Sequence, residues 1–97
     1  MIIRIVKMTF EKEKTDAFLE NFTAYKTKIK HFPGCMHLEL WKNADEHHIY
    51  YTYSYWNSKD DLENYRKSDL FAEVWGKTKI HFSAKPEAVS IKREIIV

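Results

Sequence analysis

The chain has 97 residues, 16 Lys+Arg against 14 Asp+Glu for a formal net charge of +2, and 44% hydrophobic side chains. That length feeds one core rather than two, so a single domain over residues 1–97 is expected, and the hydrophobic content excludes a disordered chain. Acids and bases are interleaved with no block of like charge, and no apolar run approaches the roughly 18 residues of a membrane span, which sets nucleic acid and membrane aside as partners.

Ile2 to Phe10 is rich in β-branched residues and free of breakers, and reads as a first strand apolar enough to be covered on both faces. From Thr15 the period changes. Phe18, Phe22, Tyr25, Ile29 and Phe32 recur at steps of four, three, four and three, which stacks them along one side of a helix that Pro33-Gly34 ends. Cys35 to Lys42 alternates and forms a second strand. Asn43-Ala44-Asp45-Glu46 supplies a four-residue turn, and His47 to Trp56 is a third strand, paired with the second as a hairpin. Ser58 followed by Asp60 and Asp61 starts a helix, and Ser68-Asp69 restarts it, so the second helical region is bipartite with a kink near Lys67. In its second part Phe71, Val74, Trp75 and Thr78 share a face. After Lys85-Pro86-Glu87, the stretch Ala88 to Val97 is the last strand.

The order β-α-β-β-α-β is that of the ferredoxin-like fold, an α+β arrangement in which helices cover one face of a four-stranded antiparallel sheet. Apolar and aromatic side chains occur at both parities of the hairpin, with Leu38, Leu40, Tyr51, Tyr53 and Tyr55 on one and Trp41, Tyr50 and Trp56 on the other. The uncovered face therefore needs a cover of its own. A second copy of the chain, sheet against sheet about a two-fold axis, is the simplest one, and a homodimer is expected.

Several kinds of chemistry have no support. With only Gly34 and Gly76, no GxGxxG, Walker or GxSxG motif can be written. Cys35 is the one cysteine, which excludes an intrachain disulfide and a cysteine-built zinc cage. His47 and His48 are adjacent in sequence and point apart in a strand, and no HxH or HxxxH spacing occurs, so no histidine metal site is expected. Met1-Ile2-Ile3-Arg4 lacks the order of a signal peptide, and the chain reads as cytoplasmic.

Four segments are similar to the antibiotic biosynthesis monooxygenase family. These are Phe32-Pro33-Gly34 closing the first helix, Trp56-Asn57-Ser58 ending the hairpin, Lys67-Ser68-Asp69-Leu70-Phe71, and Lys85-Pro86-Glu87 before the last strand. The resemblance runs over nearly the whole chain and implies a dimeric α/β barrel. It also implies a chemistry without cofactor, metal or flavin: an electron-rich phenol, quinol or anthrone, bound between sheet and helices, is oxidised by O2. Such a site needs an apolar slot for a flat aromatic substrate, a hydrogen-bonding or proton-accepting group near its hydroxyl, and room for dioxygen. The haem-degrading branch of the family is the weaker match, because its strand asparagine, helix tryptophan and iron-ligating histidine fall near Val6, Tyr65 and Trp75 here.

The candidate site residues are few. Tyr65 falls on the same helix side as Leu62 and is the leading pocket residue, either polarising a substrate hydroxyl or serving as a core tyrosine. His37, if the short turn pairs Lys42 with His47, shares a sheet face with Glu39, Thr52, Ser54 and Trp56; it is a proton acceptor or an interface histidine. Trp56, Phe71 and Trp75 are read as lining the substrate pocket, or as core. Arg4 and Arg93, on the first and last strands, either neighbour one another or serve an anionic ligand. Glu11, Glu13, Asp60, Asp61 and Glu63 suit dipole compensation and are assigned no chemistry. A non-catalytic ligand-binding dimer on the same scaffold is the competing reading.

Overall fold

The computed structural model describes residues 1–97. Strand β1 spans Ile2–Thr9, and a single 3-10 turn, Lys12–Lys14, leads into helix α1, Thr15–Lys30. Strands β2, Cys35–Lys42, and β3, Ile49–Trp56, form the hairpin. Helices α2, Lys59–Arg66, and α3, Asp69–Lys79, follow, and strand β4, Glu87–Ile91, completes the sheet. No helix is long and apolar enough to cross a membrane.

The expected break in the second helical region has a local cause. Ser58 Oγ accepts the Asp61 N–H at 3.1 Å and starts α2, while Ser68 Oγ accepts the Phe71 N–H at 3.0 Å and starts α3. Two caps ten residues apart make two short helices rather than one long one. Gly34, at φ 87°, turns the chain from α1 into β2. It sits so close to α2 that a methyl group there would overlap the Asp61 side chain.

The strands run antiparallel in the order β2-β3-β1-β4. This is the ferredoxin-like α+β sheet, but it is not a barrel. The sheet is open, with β2 and β4 as free edges and no ladder joining them. The barrel implied by the family resemblance is thus corrected.

Two boundaries also differ from expectation. Lys42 pairs with Tyr50 rather than with His47, and the connection covers residues 43–48. Asn43 is the reason. Its Oδ1 accepts the N–H groups of Asp45 and Glu46 at 3.0 and 2.9 Å, and its N–H donates to Ile49 O, so a compact side-chain-bonded loop holds both histidines out of the strand. At the other end, β4 stops at Ile91 because Ile3 is its pairing partner and β1 begins only one residue earlier. Residues 92–97 run past the sheet, leaving Ile95 and Ile96 79% and 75% exposed.

The register decides which side chains meet. Ile2, Arg4, Val6 and Met8 of β1 share the helix-covered face with Trp56, Ser54, Thr52 and Tyr50 of β3, and with Leu38 and Leu40 of β2. Two buried clusters anchor the layers on that face. Met8, Phe10, Phe18 and Tyr50 form one, with the Phe10 and Phe18 rings stacked at 4.2 Å. Ile2, Trp56 and Leu62 form the other, packed against Phe32, Cys35 and Tyr65.

Candidate active site

Between sheet and helices lies a cavity of about 330 Å³, lined by members of both clusters. Its floor is the middle of the sheet, with Arg4 and Val6 from β1 and Thr52, Ser54 and Trp56 from β3. Its roof is the bipartite helical region. Leu62, Tyr65 and Arg66 descend from α2 at the three- and four-residue spacing of one helix face, and Phe71, Val74, Trp75 and Thr78 do so from α3.

Tyr65 stands at the centre of the aromatic wall. Its ring stacks on Trp56 at 4.9 Å and meets Phe32 and Phe71 edge-on at 5.3 and 5.2 Å. Burial, and secondarily the neighbouring Cys35, push its phenol far above the ordinary tyrosine range. At neutral pH it is a hydrogen-bond donor and not a base. Trp56 is only 1% exposed, and its indole N–H donates to Ser54 Oγ at 3.0 Å, so this large ring is satisfied within the core. Phe71 and Trp75 stack nearly parallel at 5.8 Å along the roof.

Arg4 brings charge to the floor. Its Nη1 donates to Ser90 Oγ at 3.0 Å. Burial first, then the nearby positive charge of Arg66, lower its pKa, with partial relief from Glu63. Arg66 is paired with Glu63 at 2.8 Å across one helical turn. Arg93 lies elsewhere: it donates to the Tyr55 hydroxyl on the opposite face, so of the two ways of reading this arginine pair, mutual contact is excluded. Arg66 was not singled out from the sequence, although its place four residues after Leu62 and one after Tyr65 was the available signal.

Tyr65, Trp56, Phe71 and Trp75 come together around the cavity. His37 does not. The longer hairpin loop moves Thr52, Ser54 and Trp56 to the covered face and leaves His37 opposite Tyr55 on the uncovered one. There Glu39 takes the Trp41 indole N–H at 2.8 Å and contacts His37 Nε2 at 2.5 Å, two bonds that lower the Glu39 pKa, the tryptophan's more than the histidine's. Trp41 stacks on Tyr53 at 4.4 Å, and the Tyr53 hydroxyl donates to Tyr55 at 2.6 Å, which raises the Tyr53 pKa. The grouping of His37 and Glu39 with Thr52, Ser54 and Trp56 on one sheet face is therefore corrected: the register puts the last three on the opposite face.

The Cys35 thiol is half-buried against the second cluster, burial pushes its pKa up, and it donates to His37 O at 3.7 Å. No group of three or more His, Cys, Asp or Glu side chains converges anywhere in the structure. No imidazole or carboxylate lines the cavity. What the cavity offers is a mostly apolar lining with hydrogen-bond donors from Tyr65, Arg4 and Arg66. It can hold a planar ring and favour negative charge on its oxygen substituents.

Comparison with known proteins accords with this geometry. Residues 1–75 match the family described as antibiotic biosynthesis monooxygenase. No curated protein matches the sequence. Among solved structures, a conserved protein from Methanosarcina mazei is 18% identical with a TM-score of 0.89, covering 97% of this chain and 94% of its own. A structure described as an antibiotic biosynthesis monooxygenase is 15% identical with a TM-score of 0.91, over 98% and 100% of the two chains. Rv0793 from Mycobacterium tuberculosis is 14% identical with a TM-score of 0.88, over 98% and 96%. At these identities the likeness is one of fold.

Proposed function

The chain belongs to the antibiotic biosynthesis monooxygenase family, and on that premise we propose that it oxidises an electron-rich phenolic ring system of the quinol or anthrone type with O2, without a cofactor. In the anthrone case the ring CH2 becomes a second carbonyl. One oxygen atom enters the product, and the other leaves as water with the two hydrogens removed from carbon. The substrate must lose a proton before it can pass an electron to O2, so the site has to favour the enolate or phenolate. Tyr65, kept protonated by burial, donates to that oxygen as its charge develops. Trp56, Phe71 and Trp75 hold the ring flat and exclude water.

The observation that carries this reading is the aromatic cavity with the Tyr65 phenol in its wall. Its volume lies at the low end of the roughly 300–1,000 Å³ typical of small-molecule sites, which suits a compact fused-ring substrate. The test is O2 uptake with anthrone or naphthohydroquinone in metal-free buffer, with 18O2 label sought in the product. Uptake no faster than in protein-free buffer contradicts the proposal.

The reading includes a homodimer in the cytoplasm, formed by residues 1–97 as one domain. Trp41, Val89 and Ile91 on the uncovered sheet face are 39%, 48% and 41% exposed, an apolar area that a second copy would cover. A second reading is favoured by the lack of any imidazole or carboxylate at the cavity: the same dimer binds its aromatic ligand without turning it over. Ligand-dependent thermal stabilisation with no product formed would select it.

A further inference from the structure

The cavity's polar groups are unevenly distributed, and the unevenness says something about the ligand. Along most of its length the lining is aromatic or aliphatic. At the Arg4 position it carries two guanidinium groups, one from the sheet and one from α2. Glu63 is bonded to Arg66 at 2.8 Å and so offsets that charge. Arg4 has no carboxylate partner of its own; its one side-chain hydrogen bond goes to the neutral Ser90 hydroxyl. Arg4 is half-buried and lines the same cavity as Arg66, whose own charge is already paired with Glu63. A planar fork with unused N–H donors, set into the floor of an apolar slot, matches the two oxygens of a carboxylate.

We propose that the ligand is a fused-ring aromatic carboxylate, its ring between Trp56, Tyr65 and Trp75 and its carboxylate on Arg4 with Arg66 beside it. This deepens the preceding reading and rests on the same cavity. The oxidised position of the ring lies toward Tyr65, and the carboxylate is an anchor that takes no part in the redox step. The anchor orients the ring, since a flat apolar slot alone would admit it in several poses. It also selects against neutral quinols of the same size.

The experiment is one of binding, without turnover. 2-Naphthoate and its neutral isostere 2-naphthamide are titrated into the wild-type chain, Arg4→Gln and Arg66→Gln by calorimetry, with circular dichroism and thermal melts establishing that each variant is folded. The expected result is that wild type prefers naphthoate by about 10- to 100-fold, that Arg4→Gln abolishes the preference because naphthoate loses far more affinity than naphthamide, and that Arg66→Gln reduces it. Equal affinities in wild type, no binding of either probe, or a preference that survives in both variants would overturn the proposal. Should Arg4→Gln fail to fold, the Arg66→Gln ratio and the weakening of naphthoate binding by salt carry the test, and a salt-insensitive, Arg66-independent preference overturns it. The two readings separate cleanly: an arginine-dependent preference with no O2 uptake even from 1,4-dihydroxy-2-naphthoate removes the oxygenase and keeps the anchor, while turnover of neutral quinols by a chain indifferent to carboxylates does the reverse.

Discussion

Replacing Tyr65 by Phe removes one oxygen atom from the cavity wall and nothing else. The ring contacts with Trp56, Phe32 and Phe71 remain, and no hydrogen bond contributes to the tyrosine's raised pKa. Stability at pH 7 is therefore expected to stay within about 0.5 kcal/mol of wild type. If the phenol donates to an oxygen that becomes charged, its loss costs about 1.5–3 kcal/mol of transition-state stabilisation. That is about a 10- to 100-fold fall in kcat/KM, at about 1.4 kcal/mol per decade. Tyr65→Ala is the contrasting variant. It deletes the ring and should cost about 3–5 kcal/mol, a large part of the roughly 5–15 kcal/mol that holds a domain together.

The same residue gives a pH signature. Its folded-state pKa lies above its unfolded value, so the unfolded chain releases this proton first as pH rises. The stabilisation is complete below the unfolded value near pH 10 and is lost progressively above it. Urea midpoints measured at pH 8 and pH 10.5 should show a larger alkaline loss in wild type than in Tyr65→Phe. A Phe variant that is destabilised by more than 1 kcal/mol, or that turns over quinols at the wild-type rate, would refute the role assigned to the hydroxyl.

The other expectations are structural and simpler. Gly34→Ala should destabilise by about 2 kcal/mol or more in urea, because it places a side chain at φ 87° and against Asp61. Gly76→Ala, in the open on α3, should stabilise by about 0.5–1 kcal/mol, and opposite signs are the check. Ser68→Ala removes the α3 cap and the 2.6 Å bond to Tyr65 O, and should lower the melting temperature by about 4–8 °C for about 1 kcal/mol lost. Trp41→Lys should move the sedimentation coefficient from dimer to protomer at micromolar concentration while leaving naphthoate affinity unchanged; a wild-type chain already sedimenting as a protomer removes the dimer.

The roof of the cavity was legible in the sequence because helical period and capping chemistry are local signals. Ser58 and Ser68 announce two helix starts, and the spacing of Leu62 with Tyr65, and of Phe71 with Trp75, puts those side chains on inward faces. The floor was not legible to the same degree. A strand's faces depend on register, and register here turns on the Asn43 loop, whose side-chain hydrogen bonds outweigh the strand tendency that follows it. That loop is why His37 does not share a face with Thr52, Ser54 and Trp56. The length of β4 was hidden for a related reason, since Ala88 to Val97 is apolar enough for a long strand but β1 offers no partner beyond its own first residue. Arg4 was visible as a charge on an apolar strand. Its place beside Arg66 on the lining of one cavity needs the packed structure, because it joins positions 4 and 66 across two layers.

The central claim is that a flat aromatic ligand occupies the space beneath α2 and α3, and the chain's three tryptophans allow a direct measurement. Trp56 and Trp75 line the cavity, whereas Trp41 lies on the opposite face of the sheet. In a 15N spectrum of the indole N–H groups, titration with naphthohydroquinone under anaerobic conditions should move the Trp56 and Trp75 resonances saturably and leave that of Trp41 in place. Movement of Trp41 alone, or of none of the three, would contradict the account.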